Sequence, residues 1–177
     1  MLENMNIEIK KAALDDAEYI ALLARITFRE AFAKDAWTDD VVLREYLSST
    51  FSVKKIRTSI EKENNIYWVA FADELPVGYA KLKKFSPYEN LNDDSPAQLQ
   101  KIYVLNDFIG NRIGEKLQNA LFDEVAKHRI NTLWLAVWDK NHKAIRLYER
   151  HGFRKETTYH YDYKTMSFDY DVMVRNS

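Results

Sequence analysis

The second half of the chain alternates between two periodicities, and no other feature limits its possible folds as strongly. "QLQKIYVL" (Gln98–Leu105) is rich in β-branched and aromatic residues and reads as a strand. The next segment places Ile113, Leu117, Ala120, Leu121 and Val125 on one helical face. "TLWLAVW" (Thr132–Trp138) is a short, unbroken apolar run, the pattern of a strand buried on both faces. "NHKAIRLYERHG" follows as a short helix, from an Asn cap to a C-terminal glycine. Strand–helix–strand order demands crossover connections, which predicts a mixed sheet with helices against its faces.

The flanking segments extend this pattern. "IEIKKA" (Ile7–Ala12) alternates like a strand. Asp15 with Glu18 predicts a capping box for a first helix, with Ile20, Leu23, Thr27, Phe28 and Ala31 on its inner face. Thr38 is placed to cap a second helix, whose first turn holds Asp39 and Asp40, and Ser52 to cap a third through Val53, Ile56 and Ile60. "IYWVAFA" and "VGYAKLKKF" flank "DELP" as a hairpin. "FRKETTYHYDYK" and "SFDYDVMVR" close the chain as an antiparallel pair. At 177 residues this is one domain, 1–177, of α/β (α+β) class.

The chain has four glycines, and two of them, Gly110 and Gly114, lie between the strand "QLQKIYVL" and the helix after it. Helix-initial amides point outward at the positive end of the helix dipole, so a loop free of side chains makes an anion site there. A Walker A loop fails on spacing: three residues separate the glycines, and Glu-Lys follows. A G-x-G-x-x-G dinucleotide loop fails as well. A turn that only lets strand and helix pack remains the alternative.

The stretch resembles motif A of the GCN5-related N-acetyltransferases (GNAT), Q/R-x-x-G-x-G/A, here Ile109, Gly110, Asn111, Arg112, Ile113 and Gly114. Ile109 replaces the usual Gln or Arg, and Arg112 replaces the first motif glycine. A second segment, "WLAVWDKNHKAIRLYERHGFRK", is similar to motif B, N-x-x-A-x-x-x-Y-x-x-x-G-F, with Asn141, Ala144, Tyr148, Gly152 and Phe153 in register. "TFREAF", "WVAFADELPVGYAKL" and "LAVWDKN" also look like the bacterial PaiA-type polyamine acetyltransferases that act on spermidine or spermine.

The resemblance implies a GNAT fold, with a mixed central sheet of about six to seven strands flanked by helices on both faces and splayed between the strands around 98–104 and 132–138. It implies acetyl-CoA as co-substrate and a primary amine, such as a polyamine, as acceptor. Ile102, Tyr103 and Val104 would hold the pantetheine arm through main chain, and the Val104 amide would meet the thioester carbonyl. The phosphates would fall to Ile109, Gly110, Asn111, Arg112, Ile113, Gly114 and Glu115. Asn141 would reach the pantetheine arm, with Lys143 as a further cofactor contact or a surface charge. Tyr148 would protonate the leaving thiolate. Glu30 and Tyr103 are candidates for the base. Glu30, Asp35, Asp39, Asp40, Glu89, Asp93 and Asp94 are acidic residues on the side where a polyamine would bind. Two alternatives stand beside this: a protein or peptide amine as acceptor, and a non-catalytic CoA-binding regulatory module.

Composition narrows the remaining classes. Net charge is −1 with no basic block, which does not indicate a nucleic-acid surface. The absence of cysteine removes disulfides and thiolate chemistry, and it fits a cytoplasmic setting. His128, His142, His151 and His160 lack metal-ligand spacing, so no metal is expected. No apolar run suggests a signal peptide or a membrane span. The aromatic tail (Tyr159, Tyr161, Tyr163, Phe168, Tyr170) reads as packing, with an acceptor pocket or a homodimer contact as its other uses.

Overall fold

The computed structural model describes residues 5–177. Its elements are β1 (Ile7–Lys11), α1 (Ala17–Phe32), α2 (Asp40–Thr50), α3 (Val53–Glu61), β2 (Asn65–Ala72), β3 (Leu75–Lys83) and β4 (Ala97–Val104), then α4 (Ile113–Lys127), β5 (Thr132–Trp138), α5 (His142–Arg150), β6 (Arg154–Tyr163) and β7 (Met166–Asn176). The hydrogen-bonded strand order is β1-β2-β3-β4-β5-β7-β6, seven strands with five flanking helices. This is the mixed sheet expected from the strand–helix alternation. The parallel ladder between β4 and β5 holds Ala97↔Leu133 and Gln98↔Trp134 and stops there, where the strands were expected to part.

The chain forms two compact units, residues up to Leu82 with Lys101–Asp123, and Lys83–Gln100 with Glu124–Ser177. In the first, α1 buries Ile20, Leu23, Ala24, Thr27 and Phe28, while Ala31 faces solvent. Val69, Ala70, Tyr79, Leu82, Leu117 and Leu121 are buried with them. Each such large apolar side chain contributes about 1.5–3 kcal/mol against exposure. Aromatic rings cluster around Phe28, with Phe32, Trp37, Tyr46 and Phe51 at centroid distances of 4.7, 5.5, 5.1 and 5.8 Å. Phe32 continues the chain of rings to Tyr103 on β4, and Tyr103 stacks on Tyr79.

Two helix starts differ from expectation. Asp16, not Asp15, closes the entry to α1, its carboxylate accepting the Ala13 amide at 2.8 Å. A short 3-10 turn, Leu14–Asp16, occupies the segment where the capping box was placed. Asp39, not Thr38, caps α2 by accepting from the amides of Val41 and Val42. A carboxylate adds attraction to the helix dipole, so the aspartate wins over the neighbouring hydroxyl. Ser52 caps α3 as expected. The hairpin turn is tighter than "DELP": Asp73 and Glu74 both have positive φ, 45° and 72°, the two-residue form that suits strand twist.

In the second unit, β5 pairs antiparallel with β7, and β7 with β6. Leu133, Leu135, Phe153, Val172 and Met173 are buried. The indole of Trp134 donates to Ser86 O at 2.8 Å, pinning the long β3–β4 loop.

Candidate active site

The expected site residues fall into two groups, one in each unit. The first follows β4 into α4. The Leu105 amide donates to Val77 O on β3 at 2.9 Å. Amide direction alternates along a strand, so the amides of Val104 and Ile102 point away from β3. The β5 ladder has already ended at Gln98, so among the described residues those two amides have no strand partner. Gly78 on β3 permits this arrangement. A Cβ there would sit 2.8 Å from Tyr103 O, closer than carbon and oxygen tolerate. The sequence reading passed over Gly78, because a strand glycine shows its purpose only when its neighbour is known.

Beyond Leu105 the chain makes a 3-10 turn, Asn106–Phe108, then reaches Gly110 at φ 94° and Arg112 at φ 60°. Arg112 thus adopts a left-handed conformation that suits glycine, at a cost of about 1 kcal/mol. Its side chain is 83% exposed, with Nε 3.7 Å from a carboxylate oxygen of Glu115. The amide of Lys116 is the first in α4 to find a backbone partner, Arg112 O. Those of Ile113, Gly114 and Glu115 have none among the described residues. A Cβ on Gly110 or Gly114 would meet nothing within 4 Å. Helix-initial amides without backbone partners, beside glycines whose Cβ positions are open, are what an anion site requires. Asn111 braces the loop by donating to Phe108 O, and Ile109 is 51% exposed.

Glu30 was a candidate base. One oxygen of its carboxylate accepts the Asn106 amide at 3.0 Å and anchors the start of the loop. Three of the other expected acidic residues also have partners. Asp39 caps α2. Asp40 binds Arg29 at 3.0 Å and Arg44 at 3.1 Å, and these arginines hold its carboxyl below the ordinary range. Asp93 accepts from Ser95. A groove of about 390 Å³ between α1 and α2 is lined by Arg25, Arg29 and Arg44, with Glu30 as its carboxylate.

One residue missed by sequence reading is Lys101. Burial lowers its ammonium to about 8, and it sits 5.7 Å above the Phe51 ring. Its position within "QLQKIYVL" carries no mark of that burial.

The second group follows β5. The Asn141 side chain accepts the Ala144 amide at 3.2 Å, the expected cap of α5. Gly152 ends the helix with φ 85°. None of the α5 residues is fully buried; Ala144, Ile145 and Tyr148 form its half-covered face. Tyr148 packs edge-on to Phe153 at 5.8 Å, and desolvation pushes its phenol up to about 12. It therefore keeps its proton throughout neutral pH. Lys143 is exposed. Among the described residues, no cluster of three His, Asp or Glu side chains is placed to hold a metal ion.

Comparison with known proteins identifies the class. The acetyltransferase (GNAT) family pattern matches residues 28–153. The chain belongs to this family and is an N-acetyltransferase of the GNAT type. An uncharacterized N-acetyltransferase of Lactobacillus delbrueckii is 25% identical over 141 residues, 80% of each chain. A spermidine N(1)-acetyltransferase of Thermoplasma acidophilum is 23% identical over 158 residues, 87% of this chain and 92% of that one. The crystal structure of PaiA N-acetyltransferase from Thermoplasma acidophilum in complex with coenzyme A shares the fold, with a TM-score of 0.77 at 22% identity over 98% of this chain and 100% of that one.

Proposed function

We propose that the chain moves an acetyl group from acetyl-CoA to a primary amine of a polyamine-type acceptor by direct attack. The observation that carries this reading is the run of unpaired amides at the start of α4, with open space above Gly110 and Gly114. Acetyl-CoA supplies the activated acetyl thioester. The loop from Ile109 to Glu115 binds its phosphates through main chain, so Ile109 and Arg112 are tolerated where other residues are usual. The open edge of β4 at Ile102, Tyr103 and Val104 takes the pantetheine arm as an added strand, and the Val104 amide donates to the thioester oxygen as negative charge develops. Asn141 caps α5 through its oxygen, and its amide nitrogen remains for the pantetheine arm. Lys143, exposed on the same helix, serves as an outer cofactor contact.

Tyr148 acts at the sulfur. The amine nitrogen bonds to the acetyl carbon, the C–S bond breaks, and the nitrogen releases one proton while the sulfur acquires one. A phenol near 12 is a poorer acid than a thiol of ordinary pKa, about 8.5. Tyr148 therefore lowers the barrier as a hydrogen-bond donor to the departing sulfur, and solvent balances the protons. The Thermoplasma spermidine N(1)-acetyltransferase, similar over most of the chain, supports the polyamine acceptor. A peptide-borne amine is a second reading, favoured by the arginine-lined groove and by the prior engagement of Asp40. A cysteine-free chain of this kind suits the cytoplasm.

Thiol release from acetyl-CoA, with spermidine and with a short peptide as rival acceptors, tests this function. Release that depends on spermidine is the expected result. Release with the peptide alone would transfer the assignment to the second reading, and no release with any amine would overturn acetyl transfer.

A further inference from the structure

The β5–α5 junction contains a carboxylate that the mechanism above does not use. Asp139 is the first residue after β5, in the turn closed by the Asn141 amide donating to Trp138 O at 2.9 Å. Its own amide donates to Asp169 O on β7 at 3.0 Å, so its backbone is held from two directions. Its side chain is not. Oδ1 is closed to solvent and has no hydrogen-bond partner among the described residues. Neither lysine near it in the chain, Lys140 or Lys143, forms an ion pair with it among the described residues.

A carboxylate oxygen removed from water without a donor is costly, and what compensates it best is a cation with N–H groups to give. The residue as a whole stays partly exposed, so the carboxylate is not sealed in. Its other oxygen is not among the closed-off atoms, and that oxygen can receive an N–H donor from outside while the cation offsets the charge that both oxygens share. The place is also favourable. In sheets with parallel strands, ligands bind beyond the carboxyl ends of those strands, and β5 is a parallel partner of β4. Asp139 lies at that end of β5, on the same junction that sets Asn141 and the helix of Tyr148.

We propose that Asp139 binds the acceptor through one of its protonated amines. The carboxylate selects a cationic acceptor and holds it at the carboxyl end of β5. The proposal rests on the acetyl-transfer reading and supplies the acceptor-binding acid that Glu30 and Asp40, both engaged elsewhere, do not.

The test compares the wild type with D139N, which keeps the shape and removes the charge, and D139E, which keeps the charge. With spermidine as probe, kcat/KM for the amine falls at least tenfold in D139N while the KM for acetyl-CoA changes less than twofold, and D139E recovers part of the loss. The Tm of D139N is unchanged or higher, because an unpaired buried charge has been removed. An unchanged kcat/KM overturns the proposal, and so does a loss shared by both substrates together with a lower Tm. Calorimetric titration of spermidine keeps the two readings apart. If the wild type transfers no acetyl group, amine binding that disappears in D139N still supports Asp139. Equal binding by both proteins, or binding by neither, refutes it.

Discussion

Two strand-to-helix junctions carry the proposed chemistry, and they are built in opposite ways. The β4–α4 junction is long, from Leu105 to Arg112, with a 3-10 turn and two left-handed residues, Gly110 and Arg112. It offers backbone: amides without partners and space without side chains. The β5–α5 junction is short, from Asp139 to Asn141, and offers side chains: a carboxylate, a capping amide and, along the helix, a phenol. The first suits an anion that any residue can bind through its N–H. The second suits chemistry that only certain residues perform. Side-chain identity therefore matters less in the first, its open glycines apart, than in the second, and the motif matches follow suit: motif A departs at Ile109 and Arg112, while motif B is complete.

The largest effect belongs to the side-chain junction. Tyr148→Phe lowers kcat about tenfold to a hundredfold, the value of a hydrogen bond to a charged sulfur, with acetyl-CoA affinity unchanged. Steady-state kinetics with both substrates varied checks this, and an unchanged kcat removes Tyr148 from the mechanism.

Next comes the strand that leads into the backbone junction. Burial holds Lys101 at about 8 in the folded chain, against 10.5 when unperturbed. Between those values the unfolded chain binds the proton that the folded chain has released. Stability therefore rises with pH from about 8 to about 10.5, and the penalty is complete below pH 8. Lys101→Met stabilises the fold at pH 7 by about 1–3 kcal/mol and removes that pH dependence. Urea unfolding of both proteins at pH 7 and pH 10 measures it.

Gly114→Ala probes the backbone junction itself. An added Cβ meets nothing in the free protein, so stability rises by up to about 1 kcal/mol as alanine replaces a helical glycine. The same methyl group occupies the space over the amides, and acetyl-CoA binds about tenfold more weakly. Opposite signs in the two measurements distinguish a ligand site from a packing turn. Last comes Asn141→Ala, which removes the α5 cap at a cost of about 1 kcal/mol, a fall in Tm of about 2–4 °C, and weakens acetyl-CoA binding severalfold through the lost pantetheine contact, as thermal unfolding and calorimetric titration would show.

The same contrast governs what could be read from the chain. Asn141, Ser52 and Gly152 were legible because a cap or a helix end requires particular residue types at particular spacings. The succession of strands and helices, and with it the mixed sheet, followed from the change of period along the second half. Asp39 was hidden by its neighbour Thr38, since both residue types cap helices and only the geometry chooses. Gly78, Lys101 and Asp139 were not legible at all. The need for Gly78 comes from Tyr103, twenty-five residues away in sequence, and the burial of Lys101 and of Asp139 Oδ1 comes from elements the local pattern does not specify. Glu30 and Asp40 were legible as charges but not as partners, and their partners decide what they do.

The central claim is that backbone amides at the start of α4 hold the phosphates of acetyl-CoA despite Ile109 and Arg112. Calorimetric titration of the wild type with acetyl-CoA and with S-acetyl-pantetheine, which carries the same thioester arm without the pyrophosphate and nucleotide, tests it directly. The account predicts that acetyl-CoA binds at least about thirtyfold more tightly and that the difference narrows as salt is raised. Equal affinities, or a difference indifferent to salt, would contradict it and reduce the two glycines to a packing turn.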